Sequence, residues 1–348
     1  MSRYTEIKGC IHIHFPLKKL EREIELLGKA GERAGADFIV INSHTPKKYP
    51  LKYGKTFRRE GYYHNTLVIT AEETDDRQRQ NHLLVIGGER WHGNKDTTED
   101  VLSEINRHNT VSFTAHPDGF HKLYVVKKEH FWNNWDTDSF TGIEVWSMLF
   151  DWAKHTRTYN LPARYLGFPA NLQGPSQNVR SIWDRVSLTR KVVGISGLDI
   201  HYLPFLFRLL DINKSFQYYS VFKCLRNHLL ITKPLTGVPA QDKQVIIDTL
   251  RRGSLFFAND LIADSSGFFF GTHNGEKTMG DTVLTGTDLI VQSPVKASMR
   301  IIHNGRTISE EDTTQKKWAP ESAGIYRVEI ALKGNPWIFS NHMRVENA

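Results

Sequence analysis

Two cysteines in 348 residues, Cys10 and Cys224, are too few for a disulfide framework. The opening stretch MSRYTEIKGC lacks the apolar core of a secretory leader. Together they set the expectation of a reducing, cytoplasmic setting. Long hydrophobic runs are also missing: the segment 202–210 is short and broken by Arg208, so no membrane span is expected. Internal repeats and low-complexity stretches are absent. With 39% hydrophobic and 24% charged residues, the composition excludes disordered, collagen-like and coiled-coil classes. What remains is a folded chain whose length, at about 150 residues per domain, suggests two domains or one large domain with an appendage.

The net charge of +7 comes from 45 basic and 38 acidic residues, a weak pointer to an anionic partner. Residues 265–348 hold nine of each sign, so the whole excess lies earlier. It is densest around Lys47, Lys48, Lys52, Lys55, Arg58 and Arg59, opposed only by Glu60. Tyr49, Tyr53, Phe57, Tyr62 and Tyr63 interleave with these cations. That mixture suits stacking of a base or aromatic group, and equally a long loop packed on the fold.

Up to about residue 260, short apolar runs alternate with helical patterns, the order expected of parallel strands joined by helices. Strands are predicted at 9–14, 38–42, 66–71, 82–87, 111–115, 142–146 and 192–196, and helices at 18–34 and 98–108. After Gly271 the pattern becomes short alternating strands, at 289–292, 298–303 and 326–332, separated by turns such as His303-Asn304-Gly305. The expected architecture is an α/β barrel or doubly wound sheet over residues 1–262, followed by a small C-terminal β-sandwich domain over 263–348.

The chemistry-bearing residues gather at strand ends. His12 and His14 close the first strand, and alternation sends both imidazoles to one face. His44 follows the second run, Glu72 and Glu73 the third; His82 opens the fourth; His116 follows the fifth, Glu144 lies in the sixth, and Asp199 and His201 follow the seventh. Each alone has a bland explanation, as a loop residue, a helix cap or a surface charge. Their recurrence at successive strand ends predicts one metal site, because a parallel barrel brings those ends together. Imidazole and carboxylate donors suit zinc, manganese or iron.

In order, these motifs resemble the PHP (polymerase and histidinol phosphatase) family, metal-dependent phosphoesterases on a distorted seven-stranded α/β barrel. The carriers are Cys10-Ile11-His12-Ile13-His14, Ser43-His44, Ala71-Glu72-Glu73, His82 to Gly87, Ala115-His116-Pro117, Gly142 to Val145 and Gly197-Leu198-Asp199-Ile200-His201. The tail, with Thr249-Leu250-Arg251-Arg252-Gly253 and then Pro336-Trp337-Ile338-Phe339-Ser340-Asn341, is similar to the carbaryl-hydrolase branch, which adds a small β domain.

The resemblance implies that His12, His14, Glu73 and Asp199 surround one metal, that Glu73 bridges to a second held with His82 and His116, and that His44 and His201 face a third. It implies two or three divalent metal ions, catalytic roles for Glu73 and His201, and a metal-bound hydroxide as nucleophile. Cys10 and Ser43 stand where the family pattern has acidic residues, and 15–19 lack the usual extra ligand for the third metal. Amidohydrolase-type barrels also open on HxH, but no bridging lysine stands at a later strand end here.

The expected function is hydrolysis of a small anionic ester, foremost a phosphate ester, with Lys47, Arg58 and Arg59 as substrate-binding cations at the rim. Alternatives are carbamate or carboxylic ester hydrolysis, a nuclease, which the charge permits without any nucleic-acid-binding motif, and a non-catalytic metal-binding module.

Overall fold

The structure is a computed structural model describing residues 3–15, 17–44, 59–77, 80–88, 97–123, 126–157, 159–169, 171–201 and 214–348. It is a mixed α/β fold with a large sheet, flanking helices and a C-terminal β region. Lys47 and Arg58 lie outside the described residues.

The first half supplies strands β1 (Thr5–Ile13), β2 (Phe38–His44), β3 (Gly61–Tyr63), β4 (Thr66–Thr74), β5 (Leu83–Ile86), β6 (Val111–Thr114), the hairpin β7 (Asp118–Leu123) and β8 (Val126–Phe131), β9 (Gly142–Ser147) and β10 (Val193–Gly197). Every residue of β4, β5, β6, β9 and β10 is buried, which is why they read as continuous apolar runs rather than alternating ones. The helix Leu17–Ala34 buries Ile24, Leu27, Ala30 and Ala34 along one stripe. The helix Thr98–Ile105 is capped by the Thr97 hydroxyl, which accepts from the Asp100 N–H, and ends earlier than the predicted residue 108.

Pairing runs β1–β2–β4–β5–β6–β9–β10. It returns to β1 where the Leu198 N–H donates to the Ile11 carbonyl and the His14 N–H to the Ile200 carbonyl, both at 2.9 Å. The core is thus barrel-like, with one departure from the all-parallel expectation: β5 is antiparallel to both neighbours. Its connection from β4, residues 75–82, is too short for a crossover helix. The reversal brings the beginning of β5, and His82 before it, to the edge where the other strands end.

Along β10, two asparagine side chains take the place of a strand partner. Asn227 accepts from the Ser196 N–H at 2.9 Å and donates to the Ser196 carbonyl at 2.8 Å. Asn341 does the same for Gly194, at 2.7 and 2.8 Å, and also donates to the Leu255 carbonyl.

β11 (Leu225–Ile231) pairs antiparallel with β1 and with β12 (Leu255–Asn259). The C-terminal region contains β13 (Phe269–Thr272), β14 (Thr282–Leu284), β15 (Leu289–His303), β16 (Arg306–Trp318), β17 (Gly324–Leu332), β18 (Asn335–Ser340) and β19 (Met343–Glu346). Its core packs Phe270, Met299, Ile301, Val328, Trp337 and Met343. The two short strands predicted at 289–292 and 298–303 are one strand, β15, with a register break between Gln292 and Ala297. The expected segregation into two units is bridged by hydrogen bonding, since β12 pairs with β18. A buried ion pair adds to this: Arg327 grips Asp184 through Nε at 2.6 Å and Nη2 at 2.8 Å.

Candidate metal centre

His12 lies in β1, where the register shifts between Cys10 and Ile13, with φ of 65°. His116, after β6, has φ of 30°, and Asp199, after β10, has φ of 47°. All three occupy the left-handed region that non-glycine residues pay to enter, a form of strain that collects at functional sites. The His12 N–H is held by Asn42 Oδ1 at 3.1 Å, and Asn42 in turn donates to the Glu72 carbonyl, tying the bulge to β4.

These backbones aim their side chains at one another. The Nε2 atoms of His12 and His14 are 3.0 Å apart. Asp199 Oδ1 lies 3.4 and 3.2 Å from them. Glu73 Oε2 sits 3.1 Å from His14 Nε2 and 3.1 Å from His44 Nδ1, while its Oε1 reaches His82 Nδ1 at 2.6 Å and His116 Nε2 at 3.3 Å. His201 Nδ1 is 3.6 Å from Asp199 Oδ1, and its ring stacks on His14 at 4.2 Å. Each of the eight ring or carboxylate residues expected in the metal cup therefore stands in a single cluster.

Among the described residues, three donor sets are close enough to hold a cation, their atoms within 4.8 Å of one another: His12, Glu73 and His116; His12, His14 and Asp199; His14, His44 and His201. The first two are fully buried, whereas the side chains of His44 and His201 are 56% and 47% exposed, so the third set marks the open mouth.

The charge balance fits divalent cations. Burial alone would raise Glu73 and Asp199, yet the surrounding imidazoles hold both well below the usual carboxylate range. Burial opposes charge on His12, His14 and His82 as well, but facing carboxylates lift all three. The anions of the cup call for positive charge, and the nitrogen and oxygen donors are those that zinc, manganese or iron accept. At the mouth, partial burial outweighs the pull of Glu73 and brings His44 down to about 4.

Glu144, noted in the sequence without a role, orients the cup. Its Oε1 meets His12 Nδ1 at 2.8 Å and its Oε2 accepts from the His116 N–H at 2.6 Å. Nδ1 thereby carries the proton and Nε2 is turned inward as a donor atom, the arrangement that fixes metal-binding histidines. Its signal in the sequence was the Gly-x-Glu of β9. Cys10 and Ser43 face elsewhere: the Cys10 thiol lies 3.4 Å from the Phe222 carbonyl and the Ser43 hydroxyl donates to the Phe15 carbonyl at 3.3 Å. The carboxylate that meets His12 Nδ1 is Glu144.

The aromatic stretch behaves differently from a stacking surface at the two positions described. The Tyr62 hydroxyl donates to Asp242 at 2.7 Å, and Tyr63 packs on the barrel core and donates to the Arg59 carbonyl. Both belong to the fold; Arg59 itself is exposed.

Beside the cup, sharing His116 and Glu144 with it, opens a cavity of about 220 Å³ between the end of β9, the helix Met148–Lys154 and residues 173–177.

No family model and no curated protein sequence matches the chain. Among solved structures it is similar to a two-domain protein from Bacteroides vulgatus containing a predicted PHP-like metal-dependent phosphoesterase, with 11% identity, a TM-score of 0.49, and 98% of this chain and 96% of that one covered. It is also similar to PsfC from Pseudomonas syringae, with 10% identity, a TM-score of 0.45, and 68% and 87% covered.

Proposed function

We propose that the protein is a metal-dependent phosphoesterase of the PHP type. The observation that carries this is the sharing of ligands: His12 and His14 each belong to two donor sets, and Glu73 faces five imidazoles with its two oxygens. Such sharing holds cations close together, as multi-metal hydrolytic sites require. Bound divalent cations lower the pKa of water and polarise the ester oxygen.

The chain's own groups do the rest. Glu144 fixes the tautomer of His12, and Glu73 keeps the donor atoms of opposite walls in register. His201 stands at the mouth with Nδ1 3.2 Å from the Asp199 carbonyl, so Nε2 is the nitrogen left to accept a proton during turnover. Lys47, Arg58 and Arg59 are proposed to meet the anionic ester.

The test is elemental analysis of protein purified without chelator, followed by assay on p-nitrophenyl phosphate, bis-p-nitrophenyl phosphate, p-nitrophenyl acetate and an aryl carbamate. Chelator-sensitive turnover of the phosphomonoester is expected. Turnover of the acetate or carbamate alone would transfer the site to carboxyl-type esters, and a metal-free, inert protein would make it a non-catalytic module.

A further inference from the structure

The cavity beside the cup has a composition that selects its occupant. Its volume of about 220 Å³ is room for roughly seven waters, the size of a small organic group rather than a polymer. Phe150 and Trp146 give it apolar surface, and its polar lining includes Asp118, Ser147, Lys154 and Ser176.

The charges on this wall are already matched. Asp118 Oδ2 accepts from the Ser176 hydroxyl and lies 3.7 Å from Lys154 Nζ. Ser176 is the N-cap of the helix Gln177–Thr189, so Asp118 occupies the place where that helix end attracts an anion. Asp151 is consumed by the N–H groups of Gln173 and Gly174 and by Trp146 Nε1, and His155 lies 3.3 Å from it. A second phosphate on the substrate would meet the Asp118 carboxylate at the helix end, where Lys154 is already paired. A purely apolar group would leave the buried Ser147 hydroxyl without a partner, which is costly.

Ser147 supplies the independent observation. It is 8% exposed, lines the cavity, and its hydroxyl has no hydrogen-bond partner among the described residues. Buried hydroxyls are satisfied in folded proteins, so a ligand group or water belongs opposite it.

Resting on the phosphoesterase function above, we propose that this cavity receives the alcohol portion of the ester and that it selects a small neutral polyol, such as a triol or monosaccharide. Asp118 accepts from its hydroxyls, Ser147 and Ser176 complete the hydrogen bonding, and Phe150 covers its carbon face. The substrate class is then the polyol monophosphate.

The experiment compares kcat/KM of the metal-loaded enzyme for glycerol phosphate and a hexose monophosphate with that for n-butyl phosphate, a hexose bisphosphate and p-nitrophenyl phosphate. At least a tenfold preference for a polyol monophosphate over both n-butyl phosphate and the bisphosphate is expected. Asp118→Asn and, separately, Ser147→Ala should lower that preference about tenfold. Saturation-transfer NMR with free glycerol and a free hexose gives a readout independent of turnover; signal is expected for wild type and loss of it for either variant. Turnover of p-nitrophenyl phosphate with no polyol preference, or a preference unchanged in both variants, overturns the cavity assignment and leaves the phosphoesterase function standing. No turnover of any phosphate ester overturns both.

Discussion

Glu144 and His12, from the strands β9 and β1 that flank β10 in the barrel-like core, meet fully buried at 2.8 Å, and the same carboxylate holds the backbone of His116. One side chain thus sets two members of the cup. Glu144→Gln should retain the fold but weaken metal binding by about 10- to 100-fold, as loss of an orienting partner does elsewhere. Competition with a graded chelator measures it; unchanged affinity would show that His12 is positioned by other means.

Gly197 tests the same contact from the other side. A Cβ there would fall 1.7 Å from Glu144 Oε1 and 2.9 Å from the His12 Cβ. Because Glu144 is pinned at both oxygens, it has no easy retreat. Gly197→Ala is expected to lower the melting temperature and metal affinity together, whereas wild-type metal content would mean the carboxylate has room to move.

Glu73→Gln should reduce hydrolysis by about three orders of magnitude, the equivalent of several kcal/mol of transition-state stabilisation, while circular dichroism stays native. Near wild-type rates in this variant would remove Glu73 from the chemistry.

Asn341→Ala would leave the N–H and carbonyl of Gly194 buried without their partner. At about 1–3 kcal/mol for each orphaned group, the midpoint of urea unfolding should drop clearly. A stability unchanged within error would show that a water or a shifted strand replaces the amide.

His228 offers a pH test away from the cup. It is fully buried between Glu6 at 2.7 Å and Asp260 at 3.2 Å, with Arg226 3.6 Å from Asp260. Burial opposes its charge, but the two carboxylates raise its pKa above the ordinary value. A raised folded-state pKa stabilises fully below about 6.5 and loses that contribution as pH climbs through the folded value. The melting-temperature gap between wild type and His228→Asn should accordingly narrow from mildly acidic to alkaline pH; a gap that widens would reverse the assignment.

Much of the cup was legible because metal ligands in a barrel must come from strand ends, and the sequence repeats His, Asp or Glu at those ends from His12 to His201. The antiparallel course of β5 was not legible: an apolar run of four residues carries no direction, and only the short connection before it hints at reversal. The hairpin β7–β8 was also unmarked, since its Lys- and His-rich strands lack an alternating apolar face. Asn341 appeared as one residue of a tail motif, but what it clasps is set by contact across 147 positions, which no local pattern encodes.

That clasp ties the cup's floor to the C-terminal β region. β10, the strand that leads into Asp199, is finished on one flank by an amide 147 positions further along, directly after the strand that pairs with β12. Loosening that region is therefore expected to disturb the cation pocket without altering any imidazole or carboxylate in it.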